Sequence, residues 1–222
     1  FRFANSVGSR WPGAVGSSLI TVRLPVQAQQ EQVLSAQPAN MSFDAGQITW
    51  YDTDFEPKED VVVHFVNPAL WERIQQSRSA AVDHPDSPEA HYQLASLYQQ
   101  ILAAQPSVRE ASKFEPLMLA ELETARQLSA ARPGPLHCAI QAELANLYMA
   151  RPLSVPSASQ ALQELELALQ ACSQDELNPA WLSNLEYLHL FMARSARVSG
   201  LYEDALAHLD RLEELGGQRR DV

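Results

Sequence analysis

The pattern of apolar and polar positions changes character once along this chain. Up to about residue 66 the apolar residues come in short bursts. In "LITVRL" (19–24), Ile20, Val22 and Leu24 alternate with Thr21 and Arg23, the two-residue period of a half-buried strand. "QITWYDTDF" (47–55) and "DVVVHFV" (60–66) are rich in β-branched and aromatic residues, and Gly, Pro, Asn and Asp punctuate the runs. This predicts three or four antiparallel strands in a small β module over residues 1–66. From about residue 68 the composition turns to Ala, Leu, Gln and Glu, and apolar residues recur at helical spacing. Pro68 suits a helix start, and in "HPDSPEA" Ser87 is an N-cap followed by Pro88 in the first turn. Further breaks at 104–107, 131–135, 150–157, 175–179 and 198–200 leave about seven helices and no long linker over residues 67–222.

Three stretches of the helical part line up: "HYQLASLY" (91–98), "QAELANLY" (141–148) and "HLFMARSA" (189–196). In each, a large apolar residue precedes a small one, as Leu94-Ala95, Leu144-Ala145 and Met192-Ala193, and the third residue onward is Tyr98, Tyr148 or Ala196. A second helix follows each, and Ala161, Leu165 and Ala168 match Ala205, Leu209 and Leu212, with Gly200 placed where a tight interhelix turn is wanted. Over about residues 86–217 this pattern resembles the tetratricopeptide repeat family. The resemblance implies antiparallel helix hairpins stacked into an array, so the expected fold is mainly α with a small N-terminal antiparallel β module. The units here are longer than the family's period of about 34 residues, and Ala196 stands where Tyr is expected. In such an array Ala161 and Ala168 sit where two helices cross, because only small side chains let the axes approach to about 8 Å. An exposed Ala-rich surface is the alternative, disfavoured because leucines share the stripe.

"RWPGAVG", "ITVRLP" and "ITWYDTDFEPKEDVVVHF" resemble the last part of β-sandwich domains that recur in bacterial envelope-associated proteins of unassigned function. That likeness implies a β-sandwich-like module and export, but no activity. Since so few strands make a poor independent sandwich, either earlier strands precede them or the sheet leans on the helices. The chain begins at Phe1 without Met, and we read it as a processed or excised piece.

With 46% hydrophobic residues the chain can build a core. Its 16 Lys plus Arg against 27 Asp plus Glu give a net charge of −11, which opposes nucleic acid and anionic membranes. No apolar run approaches the roughly 20 residues of a bilayer span, so no membrane insertion is expected. The two cysteines, Cys138 and Cys172, are too few for a disulfide scaffold and are not spaced as a zinc site. Two buried thiols are the plainer reading. The other follows from the hairpin that the repeat resemblance implies: Cys138 begins one helix, Cys172 ends its antiparallel partner, and a bridge there would add about 4 kcal/mol if the protein is exported. The likeness to envelope-associated domains makes an extracytoplasmic location the expectation, with the cytoplasm as the alternative.

No glycine-rich phosphate loop, nucleophile elbow or paired metal motif is present, so neither a cofactor nor a metal is expected. The six histidines, at 64, 84, 91, 137, 189 and 208, are scattered over different elements, favouring structural roles over acid-base or metal chemistry. Asp52, Asp54, Glu56, Glu59 and Asp60 offer hard oxygens for calcium, but without a Gly turn or an EF-hand spacing they read as a solvated hairpin loop. Trp11, Trp50, Trp71 and Trp181 read as core or joint residues rather than a ligand platform.

The surface that the repeat resemblance singles out is the concave groove lined by the first helix of each unit. Carried over to this chain it selects Tyr92, Ser96 and Gln99, then Asn146 and Met149, then Tyr187, Arg194 and Arg197. The arginines, beside tyrosines and Asn146, suit a peptide carboxylate or an acidic side chain, unless local glutamates already pair with them. The expected function is a non-catalytic protein-protein interaction scaffold binding a peptide or protein segment. The alternative is a structural spacer or oligomerisation arm of a larger envelope-associated protein, in which the chain forms homo-oligomers. An enzyme would need a convergent polar pocket that these residues do not assemble.

Overall fold

The computed structural model describes residues 1–5, 13–24, 28–56, 59–104, 113–132, 134–150, 153–172 and 179–218. The described chain is mainly helical with a small antiparallel β part. It divides into two compact units, Phe1–Val82 with Ser96–Met118, and Asp83–Ala95 with Leu119–Val222.

Six described strands form two antiparallel three-stranded sheets, where three or four strands were expected. In one, β6 (Val61–Phe65) lies between β1 (Arg2–Phe3) and β3 (Val33–Gln37). In the other, β5 (Gln47–Phe55) lies between β2 (Val15–Arg23) and β4 (Ser42–Asp44). Beyond the expected runs, β4 has only 3 residues, and β3 (VLSAQ) lacks the dense β-branched and aromatic composition that marks β5 and β6. The β4–β5 turn is Ala45-Gly46, both with positive φ (46° and 76°), the geometry of a two-residue hairpin whose twist matches its strands. The alternation read in the sequence is the one used. Ile20 and Val22 pair with Trp50 and Ile48, and join Val33, Val61 and Val63 of the other sheet in one core.

Strands give way to helices where the composition changes: β6 ends at Phe65 and α1 (Pro68–Asp83) begins three residues later. The first compact unit nonetheless joins the strands to α1, to the second half of α2 (Pro88–Ala104) and to the start of α3 (Phe114–Ser129). Asn67 Oδ1 caps α1 by accepting from the Ala69 amide at 2.9 Å, and Ser87 Oγ caps α2 through the Ala90 amide at 3.2 Å, as its sequence predicts. Phe114, fully buried, has ring centroids 6.4 Å from Trp71 and 5.7 Å from Tyr98. The Arg78 guanidinium covers Trp71 and Tyr98, donates to the Tyr98 hydroxyl at 2.8 Å, and pairs with Glu31 beside β3 at 2.7 Å. Lys113 donates to the carbonyls of Glu31 and Val33. Strands and helices of this unit are thus tied by hydrogen bonds and an ion pair between side chains of the helices and the segment leading into β3.

In the second unit α4 (Pro135–Ala150), α5 (Val155–Ala171), α6 (Pro179–Val198) and α7 (Tyr202–Gln218) pack in series, each closely on the next. Ala161, Leu165 and Ala168 are fully buried, as the crossing argument requires, and Ala142 and Ala145 of α4 are buried too. Small side chains let α4 and α5 approach, and Cys138 in the first turn of α4 is disulfide-bonded to Cys172, the residue closing α5, with Cα atoms 5.5 Å apart. Of the two readings of the cysteines, the bridge is the one realised. Ser154 and Ser157 cap the start of α5 reciprocally, and Gly200 turns α6 into α7 at φ +77°, a conformation that favours glycine.

Burial follows the internal repeat in part. Ala95, Ala145 and Ala193 are each buried on α2, α4 and α6. Ala205 is buried like its match Ala161, but Leu209 is 46% exposed where Leu165 is fully buried. Trp50 and Trp71 are core residues, the former donating its indole N–H to the Pro38 carbonyl at 2.7 Å. Trp181 is half-buried, and Trp11 lies outside the described residues.

Candidate functional site

Tyr187, Arg194 and Arg197 fall on α6 at spacings of seven and three, which a 3.6-residue period gathers onto one side. Leu185, Leu188, His189 and Ala193 occupy the opposite side and are buried. That burial turns the tyrosine and both arginines outward: Tyr187 is 55% exposed, and both guanidinium residues are exposed. Among the described residues neither arginine pairs with a carboxylate. The face is therefore cationic and carries an accessible ring.

The other expected groove residues are placed less uniformly. Asn146 is exposed and Met149 half-buried on α4, and α4 and α6 each pack closely on α5, which receives them both. Tyr92 is half-buried on α2 in the second unit, whereas half-buried Ser96 and exposed Gln99 belong to the first. The structure brings together the α6 trio; Ser96 and Gln99 are part of the other compact unit.

Polar pairs unreadable in the sequence lie within the second unit. His189 of α6 and His208 of α7 meet with Nδ1 atoms 3.0 Å apart, and the His189 Nε2 lies 3.5 Å from Glu166 of α5. Arg211 reaches the same Glu166 carboxylate at 3.6 Å. Burial holds the His189 pKa below its ordinary value; Glu166 opposes this, and His208 and Arg211 add to it. One Nδ1 must carry the proton of this contact and the other accept it. No local pattern announces it, because residues 19 apart meet only through the hairpin turn.

A buried serine and histidine also meet: Ser129 Oγ lies 2.8 Å from His137 Nδ1 and 2.8 Å from the Ala125 carbonyl, with the Arg126 carbonyl at 3.2 Å, so these contacts hold the hydroxyl between α3 and the first turn of α4. Burial, aided by Arg126, keeps the His137 pKa low and its ring neutral at pH 7. Arg126 also contacts buried Glu164 at 3.3 Å, and burial still pushes the Glu164 carboxyl up, with Glu123 adding to the effect. His91 bonds Glu121 at 2.6 Å and the Pro85 carbonyl at 3.1 Å. These groups are committed to internal partners.

Of the acidic residues expected in a hairpin loop, Asp52 and Asp54 lie within β5 instead, because that strand runs on to Phe55; Asp52 accepts from Asn40 at 2.7 Å and Asp60 pairs with Arg2 at 2.6 Å, so two of the carboxylates already have partners. Among the described residues no group of three or more His, Cys, Asp and Glu is arranged to hold a metal, and no described helix is long and apolar enough to cross a membrane. No known family, curated protein or solved structure shows significant similarity to this chain.

Proposed function

We propose that this protein is a non-catalytic interaction scaffold whose helical array, tetratricopeptide-like in its repeats, holds a peptide or protein segment against α6. The observation that carries the reading is the exposed Tyr187, Arg194 and Arg197 face, with no carboxylate paired to its arginines among the described residues. Two guanidinium groups one turn apart favour a carboxylate, by charge-assisted bonds that a fork-shaped donor makes in pairs. Tyr187 offers a flat apolar surface beside them at small entropic cost. The ligand that fits is an acidic segment or a chain terminus, with Asn146 and Met149 extending the surface along the array. The Cys138–Cys172 bridge supports an extracytoplasmic home, where such bonds persist.

A peptide array rich in Asp, Glu and free C-termini tests this. Arg194→Glu with Arg197→Glu is expected to lower the affinity of its best binders by about a hundredfold, the effect of losing two charge-assisted contacts and gaining repulsion. The melting temperature should not change, since both side chains are exposed. Retained binding by the double variant would remove the assignment.

A further inference from the structure

A second surface, of opposite charge preference, lies on α7. Tyr202, Leu206 and Leu209 stand at i, i+4 and i+7, one stripe of the helix, and are 68%, 58% and 46% exposed. Their counterparts on α5, one repeat earlier with Ala161 matched to Ala205, are Ala158, Leu162 and Leu165, which are 0%, 7% and 0% exposed. The difference lies in the neighbours. Helix α5 is packed closely by α4 and α6, while α7 is packed closely by α6 alone among the described helices. The face that is buried on α5 is open on α7, which leaves room there for another helix.

The flank of this stripe says what kind of helix fits. Glu203, Asp210 and Glu213 are exposed along it. Arg211, the only arginine or lysine of α7, lies on the other side and is bound to Glu214 at 2.6 Å. We propose that the Tyr202–Leu206–Leu209 side of α7 docks an amphipathic helix of a partner protein whose apolar stripe is bordered by Lys or Arg. Apolar contact supplies affinity, and the carboxylate border selects a cationic partner and repels an anionic membrane surface. This surface is independent of the arginine face of α6.

The test uses the full chain and two labelled synthetic helical peptides of about 18 residues, long enough to match α7. They share one leucine stripe; one has a lysine polar face and the other a glutamate face. Fluorescence anisotropy should show the lysine peptide binding, with Leu206→Ser plus Leu209→Ser weakening it by about tenfold or more. Glu203→Gln, Asp210→Asn and Glu213→Gln together should weaken it several-fold, by about fivefold, and flatten its salt dependence. Arg194→Glu with Arg197→Glu should leave it unchanged, which separates this surface from the α6 face. Circular dichroism confirms that each variant keeps its helix content. Equal binding of the two peptides, or indifference to the leucine variant, overturns the proposal. So does a dimer in light scattering that the leucine variant dissolves, because the seat would then belong to a second copy.

Discussion

Two parts of the molecule join helices by different means. Where α1, the second half of α2 and the start of α3 meet, the spacers are rings: Trp71, Tyr98 and Phe114, with the Arg78 guanidinium laid over two of them. Helices α4 and α5, which pack closely, bury five alanines (Ala142, Ala145, Ala158, Ala161 and Ala168) among larger residues, and a disulfide closes the hairpin. The close helix approaches among the described residues fall in this second set, from α4 to α7. Rings bury large areas but need room, so stability there rests on a few big residues. Small residues bury little each, so stability rests on distance being kept and on the covalent closure. The first arrangement is sensitive to truncation and the second to enlargement.

That contrast can be broken most severely at Phe114. Phe114→Ala removes a fully buried ring between two others and is expected to cost about 3 to 5 kcal/mol in urea unfolding. A loss under about 1 kcal/mol would mean that the aromatic cluster collapses around the gap. Next comes the bridge: Cys138→Ser with Cys172→Ser should lower stability by about 4 kcal/mol, the chain-entropy value for a loop of this length, and reductant should reproduce the loss in the unmodified chain. Third, Ala161→Phe should cost about 1 to 3 kcal/mol by forcing α5 from its neighbours, whereas Ala207→Phe, at an exposed position of α7, should be close to neutral. Equal effects at both positions would dissolve the distinction between close and open faces.

Acid separates the two parts more gently. The His189 and His137 pKa values are depressed in the folded state by burial. Above the unfolded value of about 6.5 both states are neutral, and nothing changes. As pH falls below it, the unfolded chain gains protons that the folded one refuses, so the second unit loses stability down to the depressed folded values. Glu164, pushed up by burial, works partly against this in the carboxylate range. In the first unit Arg78 hydrogen-bonds Glu31 and holds its pKa down, so that pair's contribution is lost only at lower pH, from about 4.5 downward. Hydrogen exchange at pH 7.5 and 5.5 should show α6 and α7 amides losing protection while α1 amides keep theirs. His189→Gln should flatten the difference.

Much of this was legible along the chain. Ser87 and Gly200 announce a cap and a turn because their chemistry acts over a few residues. The stripe of Ala161, Leu165 and Ala168 announces a buried crossing because a helix repeats faithfully enough for spacing to mean facing. The strands β3 and β4 were not legible, since their formation depends on partner strands elsewhere in the chain. Nor was the exposure of Leu209, which fits the same pattern as buried Leu165: a sequence states which face is apolar, but not whether a neighbour arrives to cover it.

Periodicity, capping and charge, all local properties, were determined by the amino-acid order alone: the change from strands to helices, the seven described helices, and an acidic chain with arginines on one side of α6. Tertiary structure alone decided which distant groups meet. It chose the bridge from the two readings of Cys138 and Cys172 that the sequence left open, and it brought His189 to His208 and Arg78 to both Glu31 and Tyr98. Those encounters depend on how turns direct whole elements, and a chain in one dimension specifies such directions only through the sum of all its contacts.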